Sequence, residues 1–115
     1  MTTTVFSFPP DRRSGRTTLA VSMVRDLVER QRIECAYVMP THNMARDMLR
    51  RFDMPAGVVM GAHTFERWLD GRSAPRLVVF DDLGLLDDPT RERLIDLAMA
   101  RMQRLDGPTQ LVLIP

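Results

Sequence analysis

The sequence predicts an α/β fold of three α/β/α layers around a mostly parallel five-stranded sheet. Three observations carry that expectation. Five short apolar runs alternate with four stretches of helical periodicity along the 115 residues. Most of the runs are continuously apolar rather than alternating in polarity, as strands covered on both faces must be. The segments between successive runs are long enough for the helical crossovers that parallel pairing requires. A chain of this length, 44% hydrophobic and 27% charged, has the profile of one globular domain, residues 1–115, able to bury roughly two-thirds of its unfolded surface.

Strands are predicted at Thr3 to Phe8, Glu34 to Met39, Gly57 to Met60, Arg76 to Phe80 and Gln110 to Ile114. The first helix should run from Gly15 to Gln31, where Ala20, Met23, Val24 and Leu27 form a stripe opposite Arg25, Asp26, Glu29 and Arg30. The second starts after Pro40 with Thr41 or Asn43 as cap, and buries Met44, Ala45, Met48, Leu49 and Phe52. The third is short, Thr64 to Leu69, with Phe65, Trp68 and Leu69 inward and Gly71 beyond its end. The fourth begins at Asp88-Pro89, with Asp87 and Asp88 as capping residues, and reaches Leu105, where Asp106-Gly107-Pro108 stops it.

Composition narrows the function classes. The net charge of +1 gives no general pull toward nucleic acid. No run of about 18 apolar residues exists to span a membrane, and "MTTTVFSF" lacks the basic region and cleavage site of a secretory signal. Cys35, the single cysteine, excludes a disulfide framework, and a reducing cytoplasm is the expected location. All sixteen basic residues are arginine. That bias points to a GC-rich coding genome, so an arginine at a position where lysine is usual need not mean lost function.

In an open parallel sheet, ligands bind beyond the carboxyl ends of the strands. After the first strand comes "PDRRSGRT", Pro10 to Thr17. A phosphate-binding loop has glycine, four residues, glycine, lysine and a hydroxyl residue, and its backbone amides and helix N-terminus cradle phosphates. Gly15 and Thr17 match, whereas Pro10 and Arg16 replace the first glycine and the lysine. A solvated basic turn of Arg12, Arg13 and Arg16 is the other reading of these residues. The fourth run, "RLVVFDDL", ends in two acids. A strand that delivers a carboxylate at its tip can hold magnesium opposite a phosphate loop, with Asp81 binding the metal and Asp82 orienting the attacking water. His42 and His63 have no ligand-spaced partners, and Arg46, Arg50 and Arg51 read as a solvated face beside Asp47 and Asp53.

The segments "PDRRSGRTT", "YVMPTHNMARDMLRRF", "HTFERWL", "LVVFDDL" and "QLVLIP", in this order, resemble the core of P-loop NTPases of the helicase and phage terminase large subunit (DNA-packaging ATPase) type. "RRSGRTT" is similar to their Walker A loop in degenerate form, "MPTHNMARDML" to helicase motif Ia, and "VVFDDL" to Walker B. The resemblance implies ATP with Mg2+ as cofactors. It implies a nucleotide site of Arg12, Arg13, Ser14, Gly15, Arg16, Thr17 and Thr18, a metal site of Thr17 and Asp81, and catalytic roles for Asp82 and Arg16. It also implies that the last strand lies between the first and the fourth. DNA is the implied partner, by contacts such as Arg46, Arg50 and Arg51, and the host cytoplasm the location of a phage-encoded protein.

Two departures bear on mechanism. Arginine is bulkier than lysine at an enclosed position, and Asp82 stands where the family usually has glutamate, shorter by one methylene, so binding is expected before fast turnover. The alternative is a non-catalytic P-loop fold that binds a protein partner. The uncharged "TVFSF" edge invites a partner strand or self-association.

Overall fold

The computed structural model describes residues 2–8, 15–55 and 57–115. Five parallel strands form one sheet: β1 (Thr2–Ser7), β2 (Cys35–Met39), β3 (Val59–Gly61), β4 (Leu77–Phe80) and β5 (Pro108–Leu113), in the order β1-β5-β4-β2-β3. The last strand is therefore inserted between the first and the fourth. The helices are α1 (Arg16–Glu29), α2 (His42–Phe52), α3 (Ala62–Trp68) and α4 (Asp88–Met102), with a 3-10 turn at Leu83–Leu85.

Side-chain parity along the strands divides the core into two layers, because successive residues point to opposite faces. Cys35, Tyr37, Met39, Leu77, Val79 and Val112 pack with Ala20, Val21 and Val24 of α1 and Ala45 and Met48 of α2. Ala36, Val38, Val78, Phe80 and Leu111 pack on the other face with Phe65 of α3 and Leu94, Ala98 and Met102 of α4. Strands β2 and β4 are buried throughout because each of their faces meets a pair of helices. Phe65 anchors the second layer, edge-on to Phe80 at 5.5 Å between ring centres. Burial pushes the Cys35 thiol up to about 12, with the neighbouring Glu34 charge adding to it, so this cysteine is an inert core residue.

The helix ends follow their capping chemistry, with several differences from the sequence expectation. Thr41 is the cap of α2 and accepts from the Met44 amide at 3.1 Å. Asp87 caps α4 alone, accepting from the Thr90 amide and hydroxyl. Asp88 is instead the first helical residue and pairs with Arg91 one turn on. Helix α1 ends at Glu29, before Gln31. Helix α4 ends at Met102, and Pro108 is not part of a stop signal but opens β5. Proline is tolerated at the first residue of a strand. Trp68 packs inward on the second layer and stacks on Phe65, and it stays half-buried, with the Arg72 guanidinium 3.7 Å from its ring centre. Gly61 joins β3 to α3 where a side chain would not fit: an added Cβ would lie 2.9 Å from the His42 nitrogen at the start of α2.

Among the described residues, strand β1 pairs with β5 only, from Thr2 opposite Pro108 to Ser7 opposite Leu113, and its outer edge is open. Val5, Phe6 and, beside Phe6 on α1, Leu19 are 45%, 48% and 60% exposed. No described helix is long and apolar enough to cross a membrane.

Candidate functional site

The carboxyl ends of β2 and β4 and the N-termini of α1 and α2 meet at one rim of the sheet. A cleft of about 430 Å³ opens there, bounded by Gly15 at the N-cap of α1, Thr17 and Thr18 in its first turn, Asp81 and Asp82 after β4, and one face of α2. Gly15 holds φ at +83°, a left-handed conformation that glycine adopts without strain, and its carbonyl accepts the Leu19 amide to begin the helix. The first turn of α1 carries no acid. The helix start that borders the cleft therefore carries its partial positive charge with no carboxylate competing from the same turn.

Asp81 is the centre of the site. Only 3% exposed, it sits one residue past β4, and its amide donates to the Val38 carbonyl of β2 at 3.0 Å. Three donors hold its carboxylate. The Thr17 hydroxyl donates to Oδ2 at 3.0 Å, the Tyr37 hydroxyl donates to the same oxygen at 2.5 Å, and the Asp82 amide donates to Oδ1 at 2.8 Å. Such a set satisfies a buried charge. Among the described residues, Oδ2 thus has both lone-pair directions engaged, whereas Oδ1 accepts from one donor and has one direction open.

Tyr37 was not among the sequence candidates. It lies in β2 opposite Val79, and Asp81 follows Val79 by two residues on the same face, so the phenol reaches diagonally to the carboxylate. A signal existed: a tyrosine in an otherwise apolar strand must find a hydroxyl partner when buried. The strand register needed to identify that partner cannot be read from the sequence. Burial first, and then the Asp81 carboxylate, push the Tyr37 ionisation far upward, so the phenol stays protonated and donates.

Asp82 turns the chain out of the strand with φ at +55° and precedes the 3-10 turn. Burial, followed by the Asp81 charge, raises its pKa, while the Arg16 guanidinium acts in the opposite sense. Arg16 is therefore close enough to bear on the acid pair.

Of the sequence candidates, Gly15, Thr17, Thr18, Asp81 and Asp82 come together at the cleft, with Arg16 acting on Asp82. Arg12, Arg13 and Ser14, and Pro10 with them, lie outside the described residues. The far wall, on α2, adds Asn43, which the sequence offered as a helix cap, Arg51, which the resemblance offered to DNA, and Met44, Asp47, Met48 and Phe52, which patterning assigned to core or solvent. Arg50 and Arg51 pair with Asp47 at 3.8 and 3.6 Å, on exposed side chains where such pairs contribute little. Arg46 is exposed on the same helix.

Among the described residues, no three of His, Cys, Asp and Glu gather into a metal-holding group. An all-protein cage is therefore not built here. Hard oxygen donors are present in the form of Asp81 Oδ1 and the Thr17 hydroxyl. Two such donors fit magnesium, an ion that keeps most of its sites for water and substrate phosphates. No known protein-family model matches the chain, and no curated protein is significantly similar to it.

Proposed function

We infer that this chain binds a nucleoside triphosphate with magnesium at the rim between Gly15 and Asp82, in the manner of a small P-loop NTPase, and hydrolyses it slowly or with a partner's help. The observation that carries the reading is the 3.0 Å hydrogen bond from Thr17 to Asp81. It joins the hydroxyl expected to hold magnesium to the carboxylate expected to hold it, across 64 positions of sequence. The insertion of β5 between β1 and β4 supports the same reading.

Each residue then has a task. Backbone amides at the start of α1 meet phosphate oxygens, and Arg16 supplies the charge that lysine gives elsewhere. Thr17 and Asp81 Oδ1 hold the metal, which when bound neutralises phosphate charge and polarises the transferred group. Asp82, with its raised pKa and position at the cleft, holds and orients the attacking water. A role in DNA handling, of the packaging or helicase kind and in a phage context, rests on the order of the resembling segments alone.

Calorimetric titration with magnesium and ATP tests the reading. Binding that disappears in Asp81→Ala and in Arg16→Ala is the expected result. No binding at millimolar nucleotide would reject it. The second reading, a non-catalytic module that docks on protein, is favoured by the open β1 edge with Val5, Phe6 and Leu19 exposed. In that case the titration is silent, and Phe6→Lys abolishes partner binding or self-association measured by light scattering.

A further inference from the structure

We propose that Tyr37 is a positioning residue that sorts the two oxygens of Asp81, pinning Oδ2 so that Oδ1 is the oxygen presented to a divalent cation. For the cation the proposal rests on the nucleotide reading above; for the geometry of Asp81 it stands alone.

A carboxylate at the end of a strand has a soft final torsion and two equivalent oxygens. Thr17 by itself does not fix which one faces the cleft, because its own oxygen is needed at the metal and its helix start borders the open space. Tyr37 has no such freedom. Its ring is fully buried among Cys35, Met39, Leu77 and Val79, and its hydroxyl lies 2.5 Å from Asp81 Oδ2. Rigid packing thus places a neutral, acceptor-directed donor on one oxygen, while the Asp82 amide takes only one lone pair of the other. Partners of this kind behind a ligating side chain commonly decide metal affinity without touching the metal.

The first arm of the test uses the ligand-free protein. Crystal structures of the ligand-free protein should show the Asp81 carboxylate plane in one rotamer of its last torsion in the wild type, and turned or disordered in Tyr37→Phe, which keeps the ring and loses the hydroxyl. A single Asp81 rotamer retained in Tyr37→Phe would overturn the proposal. Should Tyr37→Phe fail to fold, the reverse experiment decides. Tyr37 is the only tyrosine in the chain, so one set of ring signals and one slowly exchanging hydroxyl proton report it. Both should change in Asp81→Asn, and no change overturns the proposal.

The second arm compares nucleotide affinity in magnesium and in EDTA. Tyr37→Phe should reduce the gain due to magnesium about 10- to 100-fold and leave the EDTA affinity unchanged. Equal losses in both conditions would mean that Tyr37 supports the fold only, and would overturn the positioning role. Wild-type protein that binds nucleotide in neither condition ends the nucleotide reading, and the rotamer measurement then decides on Tyr37 by itself.

Discussion

Replacing Thr17 by valine removes one hydroxyl and little else, since both side chains branch at Cβ and have nearly the same shape. In the wild type that hydroxyl gives Asp81 one of its three donors. A hydrogen bond to a charged group contributes about 1.5–3 kcal/mol. On the Thr17 side the carboxylate borders a cleft that water can enter, so the lower end applies and the expected loss is about 1.5 kcal/mol. For 115 residues the unfolding entropy is about 240 cal/mol/K, which turns this loss into a fall in Tm of about 6 °C. Thermal unfolding followed by circular dichroism at neutral pH reads it directly. Combining Thr17→Val with Tyr37→Phe sharpens the test, because both hydroxyls serve the same oxygen. The second removal leaves Oδ2 bare within the protein, and the double variant should be less stable than the sum of the singles by about 0.5–3 kcal/mol. Tm within about 1 °C of the wild type for Thr17→Val, or strict additivity in the cycle, would refute the geometry around Asp81.

Asp82→Asn keeps a residue type that tolerates the left-handed backbone and removes the charge facing Asp81. Because the folded protein raises the Asp82 pKa, its destabilising effect is absent below the ordinary value of 3.8 and grows as pH rises through the folded value. The variant should therefore gain stability at pH 7 and little at pH 3.5 in denaturant titrations, while any nucleotide hydrolysis is lost. An equal difference at both pH values would contradict the raised pKa. Gly61→Ala should cost about 1–3 kcal/mol in the same titration, since its Cβ would press on the His42 nitrogen and Thr41 carbonyl carbon at 2.9 and 3.0 Å; a neutral result would mean that β3 and α2 approach less closely. Arg16→Lys should keep or improve nucleotide affinity in the calorimeter, and a marked loss would show that the guanidinium has a job an ammonium cannot do.

What the sequence disclosed about the fold was whatever depends on local pattern. Continuous apolar runs became central strands because both faces are covered, and the stripe Ala20, Val24 found the face of α1 that packs on the sheet. Boundaries moved where two signals competed. Asp106-Gly107-Pro108 reads as a helix stop, yet α4 had already ended at Met102, and Pro108 begins β5. Asp87 and Asp88 both read as caps, but only one residue can take the extended cap conformation, and Asp88 used its charge on Arg91 instead. The meeting of Thr17 with Asp81 was expected because both follow strand ends at the same rim of a parallel sheet. Tyr37 was hidden for the opposite reason. Its role depends on β2 lying beside β4 in one register, and shifting that register by a residue would turn the phenol toward α3 and α4.

The charges around the cleft set a further condition on any anionic ligand. Among the described residues Asp81, Asp82 and Asp47 border it, Arg16 acts on Asp82, and Arg50 and Arg51 pair with Asp47. A triphosphate entering this space alone would meet two adjacent carboxylates, Asp81 and Asp82, with Arg16 shared between Asp82 and the phosphates. At an effective dielectric of about 20, unit charges about 4 Å apart interact by about 4 kcal/mol, so two carboxylates against one arginine leave a net repulsion for each phosphate charge. A divalent cation reverses that balance, because it satisfies the open lone pair of Asp81 Oδ1 and the phosphate oxygens together. The nucleotide reading therefore requires that affinity depend steeply on magnesium, with weak binding in EDTA. Equally tight binding in EDTA would place the phosphates away from Asp81, and the acid pair would then have no part in holding them.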